Sequence, residues 1–156
     1  MSLFSPATSR QRDVALTVLR VIAGAVFLAH GAQMLFSFGF AGIAGAFGQM
    51  GFPMPAILGP VIAFAELAGG IALIAGFLTR LAAPGLALIM LGAVLFVHLR
   101  NGFFLPNGME FALAMFGATT ALFLMGAGAL SVDALLARHP GLAPTAVRSD
   151  RAQRAA

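Results

Sequence analysis

"AILGPVIAFAELAGGIALIAGF", Ala56 to Phe77, carries one charged side chain, Glu66, in an otherwise apolar run with two glycines just beyond it. At ~1.5 Å of helix rise per residue, the run is long enough to cross the ~30 Å hydrocarbon core of a bilayer. Three similar runs accompany it: Val14 to Phe36 before it, and Leu81 to Leu99 and Met109 to Ala127 after it. Each has about 19–23 residues, which predicts four crossings. Composition points the same way, with 60% hydrophobic and 9% charged residues, where a soluble domain carries roughly 25% charged residues. Mean hydropathy is +0.98. The expected fold is an all-α integral membrane four-helix bundle with up-down topology.

Breakers and charges set the limits of these spans. Pro53, Pro55, Pro60 and Pro84 fall before or within a first helical turn, where a missing N–H matters least. The first run is longer than the ~7–15-residue core of a signal peptide and is followed by no small-x-small cleavage site, so it reads as a retained helix. Arg10, Arg12, Arg80, Arg138 and the tail arginines lie at one side, with Arg20 about 9 Å inside it and expected to snorkel out. Only Arg100 lies at the other side, so the positive-inside rule predicts cytoplasmic termini in a bacterial plasma membrane. Residues 1–13 are then a cytoplasmic N-terminal segment, 14–130 the four-helix membrane domain and 131–156 a disordered basic cytoplasmic tail. Between the first two spans, Gly39, Gly42, Gly45, Gly48 and Gly51 recur at every third position. That stretch reads as a short interfacial helix with Phe40, Ile43 and Phe47 on one face, its glycines allowing close packing.

The chain has no Cys and no Lys, so its formal charge of +4 is due to arginine alone. Thiolate nucleophiles, disulfides and Cys-held iron–sulfur clusters are excluded. Redox chemistry would have to come from a cofactor, a quinone or a partner protein. No basic face interleaved with aromatics appears, which argues against nucleic acid.

Several stretches, in order along residues 16 to 136, carry a family resemblance: "LRVIAGAVFLAHGAQMLF" (Leu19 to Phe36), "GFPMP" (Gly51 to Pro55), "AELAGGIALIAGFLTRLAA" (Ala65 to Ala83), "VHLRNGFF" (Val97 to Phe104), "NGMEFAL" (Asn107 to Leu113) and "GAGALSVDALL" (Gly126 to Leu136). Together they resemble the DoxX family. The resemblance implies a small four-helix membrane protein of oxidoreductase character, related to membrane subunits of thiosulfate:quinone oxidoreductases. One departure is Met34, which stands where the family's HGxQK stretch often has Lys.

The polar residues within the spans are the candidate site. Counted from Ala56, Glu66 lies about 15 Å deep, near the bilayer midplane. About eleven large apolar residues at roughly −0.3 to −0.6 kcal/mol each still carry its helix in against about +3 for the acid. A carboxyl at that depth must be sheltered by protein, either as a proton carrier or ligand contact or as a carboxyl hydrogen-bonded across helices. The small pair Ala65 and Gly69 offers a close-approach spacing for a neighbouring helix. His30 and Gln33 share one face of the first helix, and His30 lies about 9 Å below Phe36, an offset of ~6 Å from Glu66 that two side chains can span.

His30 and Glu66 are therefore the candidate catalytic pair, as a proton relay. Gln33, His98, Arg100 and Glu110 are the candidate substrate-binding residues, with Arg100 and Glu110 also able to pair across their short loop. His30 and His98 could bracket a quinone head group; two histidines alone are a weak signal for haem. No metal site is expected.

Three functions fit this pattern. In the first, a redox-associated membrane subunit binds a quinone-like molecule and handles its protons while a redox partner protein supplies electrons. In the second, a non-enzymatic scaffold or assembly protein uses its buried polar groups to fix register and partner, including a second copy of itself. A small-solute or proton transporter is disfavoured, since no span is broken by Gly or Pro and no inverted repeat appears.

Overall fold

The computed structural model describes residues 5–139, and all regular structure among them is helical. Helix α1 (Ser9–Ala32) starts at a capping box in which Thr8 and Gln11 bond reciprocally, Thr8 Oγ1 accepting the Gln11 N–H at 3.3 Å. It runs on through a π-helical turn, Gln33–Phe38, to Gly39, whose φ of 64° breaks the direction and starts α2 (Gly39–Gln49). Helix α3 (Pro55–Ala75) has Pro at its first position and ends at Gly76, φ 67°. Helix α4 (Thr79–Gly92) is also extended by a π-helical turn, Ala93–His98, then by a short 3₁₀ turn, Leu99–Asn101. Helices α5 (Glu110–Met125) and α6 (Val132–Arg138) complete the described chain.

Three continuous helical stretches are long and apolar enough to cross a membrane: Ser9–Gln49, Pro55–Ala75 and Thr79–Asn101. The fourth expected span is shorter than its apolar run. Helix α5 has 16 residues, or ~24 Å at ~1.5 Å per residue, because Gly126 leaves the helix at φ 80°. The protein is thus a multi-pass helical membrane protein, its hydrophobic surface lying on the outside: Phe36, Leu88 and Leu124 are 81%, 70% and 68% exposed.

The tightest contact in the bundle is between α1 and α3, and it runs through backbone. A methyl group at Gly31 would come within 2.5 Å of Leu67 N and 2.8 Å of Ala63 O. One at Gly70 would come within 2.5 Å of Leu28 N, and one at Gly24 within 2.8 Å of Gly70 O. Only residues without a side chain allow this approach in a membrane, where helix association rests on close packing rather than on expulsion of water. Around it Phe27, Leu73, Leu86 and Leu122 form a core sealed to 2% exposure or less. Gly69, by contrast, faces the Leu86 side chain of α4, not a helix backbone.

Helix α2 folds back on the start of α3, and Ile43, 1% exposed, fills the space above Gly59. The expected helix is present, but its glycines are not the close-approach surface: Gly39, Gly45 and Gly51 have no neighbour within 4 Å of an added methyl. The gap that admits Ile43 belongs to Gly59 on the other helix.

The end at which α1 starts is closed by polar contacts that the sequence does not announce. Arg20 does not snorkel; it is 3% exposed. Its Nη1 donates to the carbonyls of Leu73 (3.2 Å) and Ile74 (2.7 Å), and its Nη2 to that of Leu130. The guanidinium thereby occupies acceptors that the last turn of α3 leaves free, where a cation is also favoured by the helix dipole. Asp133 does the same for the start of α4, accepting the N–H groups of Leu78 (2.8 Å) and Thr79 (3.0 Å), while its own N–H donates to Gly76 O at 2.9 Å. Asp13 accepts the Ala129 N–H at 2.8 Å. Part of the stretch expected as a disordered tail, Ser131 to Arg138, is consequently an ordered strap across this end; residues 140–156 lie outside the described chain.

A side chain at Gly31 should be far more damaging than one on α2. Gly31→Leu is expected to abolish a monodisperse folded peak in detergent, since forced overpacking costs about 1–3 kcal/mol even where neighbours can shift, and backbone cannot. Gly45→Leu should melt within a few degrees of the parent. Size-exclusion chromatography with a thermal ramp checks both.

Candidate functional site

The α1–α3 contact determines which polar groups meet. Gly31 rests against Ala63 and Leu67, so its neighbour His30 stands level with Glu66 rather than ~6 Å above it. The helix ends used for counting, Phe36 and Ala56, are not at one height, because α1 continues past Phe36 into the π turn.

His30, Glu66 and His98 line one cavity of about 170 Å³, together with Met90, Phe111 and Met115. It lies among α1, α3, the π-helical end of α4, and α5. Glu66 is 7% exposed, and among the described residues its carboxyl has no hydrogen-bond partner; what shelters it is the cavity. An engineered apolar cavity of about 150 Å³ holds one benzene ring, so this space is of single-ring size. A larger groove of about 440 Å³ between α3 and α4 is walled by groups such as Ala68, Ala72 and Leu81 and holds no titratable side chain. A still larger groove, of about 730 Å³, lies at the strapped end beside Arg80 and Asp133. Size alone would favour that one; the smaller space is the one that brings His30, Glu66 and His98 together.

Each histidine is held differently. The His30 ring stacks on Phe111, with centroids 6.0 Å apart and planes at 26°. His98 is tied through Nδ1 to the Asn107 carbonyl at 2.9 Å. A carbonyl only accepts, so in the neutral ring Nδ1 carries the proton and Nε2 is the free acceptor. The π-helical turn Ala93–His98 also matters here. One extra residue in a turn rotates the rest of the helix by roughly 100° relative to an uninterrupted α-helix, and this turn brings both Ala93 and His98 to the cavity wall.

The other candidates are placed elsewhere. Gln33 is exposed at the start of the first π turn, and Arg100 is exposed in the 3₁₀ turn. Glu110 opens α5, and its Oε1 accepts the Leu105 N–H at 2.8 Å, bracing the loop that also presents Asn107 to His98. None of the three lines the cavity. Phe111 and Met115, which do, do not stand out in the sequence. An aromatic residue one position after Glu110 is the available clue, but it needs the α1–α5 packing to be read.

Residues 15–99 match the DoxX family, a range that includes His30, Glu66 and His98 and excludes α5. The Bacillus subtilis (strain 168) protein named "Putative oxidoreductase CatD" is 32% identical over 124 residues, covering 78% of this chain and 86% of that protein. No solved structure matches.

With three histidines in the chain, histidine-selective ¹⁵N NMR in detergent is well resolved. At a pH where the ring is neutral, His98 is expected to show a protonated Nδ1 and a bare Nε2. The opposite tautomer would contradict the Asn107 bond. Phe111→Ala should shift His30 by removal of the stacked ring and leave His139 in place.

Proposed function

The chain belongs to the DoxX family, and from that membership together with the cavity at Glu66 we propose that it binds a quinone-like ring there and handles its protons. The supporting observation is a single one: a buried carboxyl with no hydrogen-bond partner among the described residues, beside two histidines, in a space of single-ring size. Buried polar groups are ordinarily satisfied, and a ring bearing oxygen atoms would satisfy this one. His98 Nε2 would accept from a ring hydroxyl, and Glu66 and His30 would carry protons to and from the oxygens.

Reduction of a quinone to a hydroquinone takes two electrons and two protons. The electrons would come from a partner redox protein, since this chain has no thiol. The protons would pass through Glu66 and His30, which makes them the catalytic pair. Gln33, Arg100 and Glu110 have no role in ring contact. Haem does not suit the space, because a porphyrin is several times the size of one ring.

The same reading gives the protein its orientation in the membrane. Helix α5 and the turns at its ends complete a fourth crossing. The strapped end, with Arg10, Arg12, Arg80 and Arg138, faces the cytoplasm of a bacterial cell, and the Arg100 end faces out.

Binding of a tail-less benzoquinone by the purified protein, measured by calorimetry in detergent, tests this reading. Glu66→Gln, which keeps shape and removes the acid, and His30→Ala should each weaken binding about tenfold, the equivalent of ~1.4 kcal/mol, with thermal stability retained. Unchanged affinity in both, or loss of a co-purifying protein in its place, would favour the scaffold.

A further inference from the structure

A second groove, of about 430 Å³, follows the seam between α1 and α5 toward the strapped end. Its walls are apolar: Ala15, Val18, Ile22 and Ala23 from α1, Met115 and Ala118 from α5. Met115 lines both this groove and the ring-sized cavity. On α1 the two spaces are one turn apart, Ile22 and Ala23 in the groove and Val26 and Phe27 in the cavity. From Ala23 to Ala15 the groove follows ~12 Å of helix.

We infer that the cavity and this groove are one site for an amphiphile with a single-ring polar head and a long apolar tail, the tail lying between α1 and α5. The inference rests on the proposed quinone function and names the class within it: a membrane-soluble quinone with an isoprenoid-type chain. Three features carry it. The head space carries His30, Glu66 and His98 on its wall and is otherwise lined by apolar groups, among them Phe27, 2% exposed, and Met115. The tail space opens to the bilayer side, with Val18 and Ile22 52% and 61% exposed, so a ligand already dissolved in lipid can enter sideways without crossing water. Small residues, Ala15, Ala23 and Ala118, leave room for a chain along the seam where larger ones would close it.

The α3–α4 groove does not offer the same route. It shares no lining residue with the cavity, and Leu86, 2% exposed, presses on Gly69 between them. A tail lying there would have no connection to Glu66.

The test compares two benzoquinones with the same ring, one tail-less and one with an isoprenoid chain, on the parent protein and on Ala15→Phe and Ala118→Leu, by competition in mixed micelles corrected for partition. The parent should bind the tailed form about tenfold more tightly. Both variants should lose most of that difference while holding the tail-less form within about twofold, which also shows that they are folded. If the tail-less ring binds but the chain adds nothing in the parent, or the variants leave the difference intact, the groove holds bulk lipid and the inference falls while the ring site stands. If neither ring binds the parent, the quinone reading fails and takes the tail with it.

Discussion

Two helix backbones in contact hold this molecule in register. Where Gly24 and Gly31 of α1 meet Gly70 and the Ala63–Leu67 turn of α3, there is no room for a single methyl group. Lipid gives helices little reason to associate other than the quality of their packing, so a contact this close fixes both the distance and the height of one helix against the other. His30 is the residue before Gly31, and Glu66 is the residue before Leu67. Bringing the two glycine-bearing faces together therefore brings the base and the acid to one level in the membrane.

The two ends of the bundle are built differently around that contact. At one end, polar side chains bond to backbone: buried Arg20 to the carbonyls closing α3, and half-buried Asp133 and Asp13 to the N–H groups opening α4 and to the turn after α5. Between them and Glu66 lies a dry layer of Phe27, Leu73, Leu86 and Leu122. Toward the other end Glu110 and Asn101 also bond backbone, but among the described residues Glu66 has no partner and His98 bonds through one ring nitrogen alone. The backbone groups at the strapped end are capped by side chains, although Arg20 Nε and Thr79 Oγ1 stay unbonded there among the described residues, whereas in the other half the Glu66 carboxyl faces a cavity.

Much of this is legible in the sequence. The apolar runs mark the helices, and the isolated Glu66, His30 and His98 are the polar residues that the fold brings to one cavity, the candidate site. The register is not legible, because Gly24, Gly31 and Gly70 look like ordinary glycines in an apolar helix until a neighbouring backbone is seen against them. Arg20 departs from expectation because snorkelling is the general habit of a lone arginine near a span end, and only the carbonyls of α3 and Leu130 show a better partner within reach. The cavity position of His98 depends on a π turn that no hydrophobic period reveals. Glu110, Arg100 and Gln33 sit at plausible heights, but height along a helix says nothing about the side on which a residue lies.

The central claim is that α1 and α3 bring positions 30 and 66 together on the wall of one small cavity. The chain has no cysteine, so His30→Cys combined with Glu66→Cys can be treated with a small permeant bis-alkylating bimane that fluoresces only when it bridges two neighbouring thiols. Bridging should occur in that pair and not when Gln33→Cys replaces His30→Cys. Bridging of the 33/66 pair with none in the 30/66 pair would contradict the register and, with it, the site.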